Sequence, residues 1–177
     1  HALAAEAGIA NLQVAPKLHG GHNTLGGFAH EGIAAIGAEQ VYRGMFEHSV
    51  CGIFQSTPEG RYIMVNPALS RIYGYGTPAE LQAALTDIGG QLYVDAARRE
   101  EFVRMMRERG AVSGFESQVY RGDGQIIWIA ESCREVRTEA GALLYYEGMV
   151  VDVTERRRIE DELRWARDAA ETAHRVK

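Results

Sequence analysis

Val150-Val151-Asp152-Val153-Thr154-Glu155-Arg156 joins two opposed backbone preferences with no linker between them. Just before it, Tyr145-Tyr146-Glu147-Gly148-Met149-Val150-Val151 is aromatic and β-branched, which favours a strand. Just after it, Arg156 to Lys177 contains neither Gly nor Pro and is rich in Ala, Glu and Arg, which favours a helix. Asp152 and Thr154 are both good N-caps, and Glu155 falls in the first turn, where the helix dipole favours an anion. A strand that runs straight into a helix restricts the chain severely. Any movement of the sheet must move the root of the helix, and that coupling is the expected function.

The rest of the chain supplies the sheet. Residues 1–37 are Ala- and Gly-rich and are broken by Leu18-His19-Gly20-Gly21-His22-Asn23 and Gly26-Gly27, so a poorly ordered or extended leader is expected. Ala38 to His48 has the spacing of a short amphipathic helix, with Val41 and Met45 on one face. Cys51 to Thr57 and Arg61 to Val65 flank Pro58-Glu59-Gly60 as a hairpin. Asn66-Pro67 and Thr77-Pro78 each read as an N-cap followed by Pro in the first turn, and Glu80 would complete a capping box with Thr77. Gly89-Gly90 should stop that second segment. Asp95 to Arg109 is a longer helix with Phe102, Met105 and Met106 inward, ended by Gly110. Phe115 to Arg121 and Ile126 to Arg137 meet across Gly122-Asp123-Gly124, and Leu143 to Val153 follows as a last strand. The order implies an α+β fold with a five-stranded antiparallel sheet and its helices on one face. The domain organisation expected is a leader over 1–37, an α+β domain over 38–153 and a C-terminal helix over 154–177.

Composition excludes several functions. A net charge of −5 over 177 residues offers no nucleic-acid footprint. Cys51 and Cys133 have neither metal-ligand spacing nor a disulfide framework, which suits a reducing cytoplasm. No stretch approaches the ~20 apolar residues of a membrane-spanning helix. No nucleophile–base pairing, phosphate loop or metal cluster is visible, so no catalytic or metal-ligating residue is assigned. The chain starts at His1 and ends inside a helical pattern, and a piece of a longer protein is expected.

From Gln40 to about Arg158 the sequence resembles a PAS domain, the sensory module common in bacterial signalling proteins. The resemblance is carried by Gly52-Ile53-Phe54-Gln55-Ser56-Thr57-Pro58-Glu59-Gly60, Asn66-Pro67-Ala68 and Tyr73-Gly74-Tyr75. It continues through Phe115-Glu116-Ser117-Gln118-Val119-Tyr120-Arg121, Asp123-Gly124, Trp128-Ile129 and Asp152-Val153-Thr154-Glu155-Arg156, in the family's order and spacing. It implies a sensor or dimerisation module rather than an enzyme. Ala166 to Lys177 is similar to the helix that leads into the dimerisation and phosphoacceptor domain of sensor histidine kinases. In that family the phosphorylated histidine lies further on, so His174 is not expected to be the phosphoacceptor. A sensory domain of a dimeric histidine kinase is the expected function. The alternatives are a ligand-free PAS relay module and a PAS sensor feeding a nucleotide cyclase.

Strand alternation then separates the two faces of the sheet. The resemblance turns the residue after Trp128 toward the helices, so Ile129, Glu131 and Cys133 should line the interior. Phe115, Ser117, Val119, Tyr146, Gly148, Val150, Phe54 and Ser56 should join them as the candidate ligand cavity. An inward carboxylate is costly unless it is paired. Glu131 should therefore meet an internal donor such as Tyr73, Tyr75 or an arginine, or a donor-bearing ligand. Haem-binding relatives need a histidine on the long helix, and no histidine occurs between His48 and His174. Relatives that form a flavin–cysteine adduct carry Asn-Cys-Arg-Phe where this chain has Gly89-Gly90-Gln91-Leu92-Tyr93. A non-covalently held flavin or a small organic ligand stays open. The outward set of Ile126, Trp128, Tyr120, Tyr145 and Met149 is apolar and suits an interface, covered by the chain's own N-terminal helix or by a partner's. Arg156, Ile159, Leu163, Ala166, Ala170 and Ala173 alternate spacings of three and four, as in a coiled-coil seam, and a homodimer is expected.

Overall fold

The computed structural model describes residues 37–175, and the leader expectation lies outside them. Helix α1 (Ala38–His48) precedes a hairpin of β1 (Gly52–Ser56) and β2 (Tyr62–Val65). Three short helices follow: α2 (Pro67–Ile72), α3 (Pro78–Ala84) and α4 (Ile88–Gln91). Helix α5 (Ala96–Arg109) then leads into β3 (Ala111–Tyr120), β4 (Ile126–Arg137) and β5 (Leu143–Asp152), and α6 (Thr154–Arg175) closes the chain. The sheet is antiparallel with order β2-β1-β5-β4-β3, so the last strand lies at its centre and the first beside it.

The helix starts follow the caps read from the sequence, and one cap does more. Asn66 is wholly buried. Its Oδ1 accepts from Leu69 N at 3.0 Å, which caps α2, and from Ile53 N at 2.9 Å, which holds β1. Its Nδ2 donates to the Phe46 and Cys51 carbonyls, each at 3.0 Å. One side chain thus ties α1, β1 and α2 together with its hydrogen-bonding capacity filled.

Three local expectations are corrected. Gly89-Gly90 does not stop a helix but lies within α4, because Asp87 Oδ1 accepts from Gly90 N and caps a new turn. Glu80 does not return to the Thr77 amide; its Oε2 accepts from Gly76 N, one residue earlier, while Thr77 Oγ1 caps Glu80 N. Strand β3 starts at Ala111 rather than Phe115, because an irregularity between Val112 and Phe115 absorbs Gly114 at φ +61° and lets pairing resume.

The core fills one face of the sheet. Leu69, Tyr73, Leu81, Leu92, Phe102 and Met106 from the helical side pack on Phe54, Val119, Ile129 and Val150 from the strands. On the other face Tyr120, Ile126 and Met149 are exposed, whereas Trp128 and Tyr145 are half-buried. Helix α1 leaves Val41, Tyr42 and Met45 exposed, and among the described residues none of its side chains is fully buried.

Candidate sensory cavity and output junction

Alternation along each strand sends one side chain in two toward the helices, and β1, β4 and β5 send Phe54, Ser56, Glu131, Cys133 and Tyr146 toward a single internal cavity of about 100 Å³. The helical wall comes from α5, whose Arg99, Phe102, Val103, Met106 and Arg107 recur at helical spacing, and from Ile88 of α4. Thr57, Pro58 and Tyr62 complete it from the first hairpin.

The remaining strand residues expected here are placed elsewhere. Phe115, Ser117, Val119, Ile129 and Val150 are buried but do not line the cavity. The space over them is occupied. Phe102 meets Phe115 edge-on at 5.5 Å between ring centroids, and Tyr93 bridges to Val119. Gly148 lies inward with no side chain to offer, and a Cβ there would strike the Phe54 ring. Sequence reasoning missed Arg99, although Phe102 and Met106 were already read as inward. A residue three positions before Phe102 and seven before Met106 shares their helix face.

Glu131 is 8% exposed, and its internal partner is Tyr93, whose hydroxyl donates to Oε2 at 2.9 Å. Neither Tyr73 nor Tyr75, the tyrosines expected from the sequence, makes that bond. The cause is the chain after α4, which docks Leu92 and Tyr93 against β3 and turns the Tyr93 ring inward. Burial pushes the Glu131 carboxyl up, against the opposing pull of the Tyr93 hydroxyl and the Arg99 guanidinium. Burial, with Glu131 beside it, also pushes the Cys133 thiol up to about 12, so Cys133 stays protonated at neutral pH. The same burial raises the Tyr62, Tyr73 and Tyr93 phenols.

These directions set a pH signature. A carboxyl whose folded pKa is raised favours the fold while neutral, and that contribution is lost as pH rises through the folded value. Gln in its place can still accept from Tyr93 but cannot ionise. The melting temperature of Glu131→Gln relative to the parent chain should therefore climb between about pH 4 and pH 8. A difference that stays flat over that range would show that ionising Glu131 costs nothing. Relative to Glu131→Gln, Glu131→Leu leaves the Tyr93 hydroxyl unpaired and should lose about 1–3 kcal/mol at any pH in the window.

The junction departs from a simple cap. Asp152 Oδ1 accepts from Thr154 N at 2.9 Å. Thr154 turns away from its own helix: its Oγ1 accepts from Trp128 N at 3.0 Å and donates to Trp128 O at 3.4 Å, locking the start of α6 to β4. The expectation that both residues cap the helix is corrected for Thr154, because Trp128 stands just past the last β4–β5 pair, where its amide has no ladder partner and its carbonyl, which accepts from Val153 N at 2.9 Å, can take a second bond. Arg156 and Arg157 both donate to the carboxylate of Glu116 on β3, and the Arg157 guanidinium lies 4.6 Å over the Trp128 ring. Partial burial raises Glu116, but the two arginines outweigh it and hold the carboxyl below its ordinary value. Glu155 faces Arg158 within the helix instead.

Arg98 of α5 reaches the same place. Its Nη2 donates to the Glu116 carbonyl at 2.5 Å, and its guanidinium lies 4.1 Å over the Phe115 ring. Beyond Arg157, every described side chain along α6 to Ala173 is exposed, including Ile159, Leu163, Ala166 and Ala170. Ile159, Leu163 and Trp165 stand 45%, 67% and 76% exposed.

Residues 50–155 match the family model described as PAS domain. The chain is similar to a domain of a sensory box sensor histidine kinase/response regulator from Geobacter sulfurreducens, at 28% identity and a TM-score of 0.50, covering 64% of this chain and 93% of that one. A sensory box histidine kinase/response regulator from Burkholderia thailandensis is similar at 23% identity and a TM-score of 0.57, covering 74% of this chain and 98% of that one. An RNA-binding light-oxygen-voltage receptor shares the fold at 20% identity and a TM-score of 0.61 over 86% of this chain, which spans 42% of that receptor's length.

Proposed function

This chain belongs to the PAS domain family, a family of sensory modules, and on that premise we propose that it senses through the cavity under α5 and reports through α6 to the output of a bacterial sensor histidine kinase. The observation that carries the proposal is Glu116. Its carbonyl is held by Arg98 on the helix that walls the cavity, and its carboxylate is held by the first turn of the output helix. A molecule that moves α5 against the sheet acts on Glu116 from one side, and α6 feels it from the other. The exposed apolar stripe of Ile159, Leu163, Ala166 and Ala170 suits a weak coiled coil with the same helix of a second copy. Met149, Trp128 and Tyr145 on the outer sheet face extend that homodimer contact. Small residues at half the seam keep its free energy low, which suits a register that shifts. The cytoplasm is the compartment this reading requires.

Two variants test it. Glu116→Gln removes the charge that gathers Arg156 and Arg157, and Asp152→Ala with Thr154→Ala removes the Thr154 tie to β4 and the Asp152 cap on its amide. A cap or tie of this kind is worth ~1 kcal/mol, comparable to the gap between the states of a switch. The fold should survive both changes, with amide exchange in the first two turns of α6 accelerated several-fold. In a full-length kinase carrying this domain, the output should lose its response to stimulus. Normal exchange at the α6 root together with normal switching would reduce the junction to a connector.

A further inference from the structure

We infer that the cavity is built for a small organic acid, its carboxylate held at Arg99 and a hydroxyl of the same molecule held at Glu131; this assignment rests on the reading of the cavity as the sensory site. The volume of about 100 Å³ is room for about three waters, or for an organic molecule of a few heavy atoms. Two arginines stand in its wall on one face of α5, Arg99 and Arg107. Like Arg104 and Arg109 on the same helix, neither forms an ion pair with a described carboxylate, whereas Arg98 does; of the two, Arg99 is half-buried and Arg107 exposed. The Arg99 guanidinium is steered inward, 5.4 Å from the Tyr93 ring centroid and 5.3 Å from that of Phe102. A half-buried guanidinium that no carboxylate pairs directly can offer its remaining donors to a ligand carboxylate.

Glu131 supplies the second contact. One of its oxygens takes the Tyr93 hydroxyl, and the other takes no hydrogen bond from a described residue. That second oxygen is not sealed in the core, since among the described residues Ser117 Oγ is the sealed side-chain polar atom that lacks a partner. It therefore borders the cavity that Glu131 lines, and it can exchange a hydrogen bond with a ligand hydroxyl. A cationic ligand fits poorly. It would meet two guanidiniums, and its only anionic partner is a carboxyl that burial pushes toward the neutral form. The other walls are apolar at Phe54, Ile88, Val103 and Met106 and, Arg107 apart, carry no further charge, so they favour a ligand with one anionic group.

Titration calorimetry on the full 177-residue chain at neutral pH, with glycolate, glycolamide and ethanolamine as probes, separates the possibilities. Glycolate should bind saturably and at least tenfold more tightly than its neutral isostere glycolamide, with no heat from ethanolamine. Arg99→Met should weaken glycolate at least tenfold, and Arg99→Lys, which keeps the charge, should recover most of that loss. Should Arg99→Met fail to fold, Arg107→Met with Arg99→Lys carries the comparison, with a smaller, several-fold loss expected from the former. Glu131→Gln should weaken glycolate more than it weakens acetate, which has no hydroxyl. If glycolamide or ethanolamine binds as tightly as glycolate, the acid assignment is overturned and the cavity remains a ligand site. If none of the three binds, the sensory-cavity reading falls with it.

Discussion

Asn66→Asp is expected to cost about 3–5 kcal/mol at neutral pH, the range for leaving a buried charge uncompensated. Asn66 has no exposed surface. Its Nδ2 donates to two carbonyls, those of Phe46 and Cys51. An aspartate would turn that donor into an anionic oxygen facing the same two carbonyls, while the two amides bonded to Oδ1 keep their acceptor. Protonation would relieve much of the conflict. The variant carboxyl should therefore titrate well above the ordinary Asp range, and the stability deficit should shrink as pH falls through that raised value. Because Phe46 lies in the last turn of α1, the damage should include loosening of α1. Chemical denaturation between pH 4 and 8, with amide exchange over residues 38–53, reads both effects. A loss under about 1 kcal/mol at neutral pH would mean that α1 is held by something other than this side chain.

Gly148→Ala should be nearly as damaging, and for a steric reason. Gly148 sits in the central strand, opposite Phe54 on β1 and Cys133 on β4. A Cβ added there would stand 2.5 Å from the Ser132 carbonyl oxygen and 2.8 Å from the Phe54 ring. The ring can move only by entering the cavity it lines, and the carbonyl belongs to the β4 backbone. Overpacking of this kind costs about 3 kcal/mol, at the upper end of the usual range because backbone must shift. For a domain of this size that is a fall of roughly 10 °C in melting temperature. Gly114→Ala is the matched control: it has an unfavourable φ of +61° but no atom within 4 Å of the added carbon. It should cost about 1 kcal/mol through backbone strain alone. If Gly148→Ala costs no more than the control, the centre of the sheet is looser than its packing implies.

Under the proposed route from cavity to α6, the two positions would bear on signalling as well as on stability. Asn66 joins the incoming helix to the strand that pairs with β5, and β5 continues into α6. Gly148 lets Phe54 close against the sheet beside the cavity. A ligand pressing on Phe54 would press on the central strand through a contact with no side chain to cushion it.

The strands, their faces and every helix start but that of α4 were legible in the residues themselves. Alternation is a local property of a pleated chain, so the side chains at 115, 117 and 119 and at 129, 131 and 133 had to share a face. The burial of Ile129, Glu131 and Cys133 follows from that parity. Asn66-Pro67 and Thr77-Pro78 announce helix starts because the cap acts over three residues. What the residues could not disclose is which groups from distant segments share one space. Tyr93 and Glu131 lie 38 positions apart, and Arg157 and Glu116 41 apart. Neither pairing leaves a periodic trace in the sequence. The size of the cavity depends on how far α4 and α5 settle onto the sheet, a sum of many side-chain volumes, and Phe102 and Tyr93 close the part that the strand pattern alone would leave open. The same holds for α6. Its helical nature is local, written in a run free of Gly and Pro. That Thr154 grips β4 while Arg156 and Arg157 grip β3 was decided by the twist and stagger of the finished sheet, which bring Trp128 and Glu116 under its first turn.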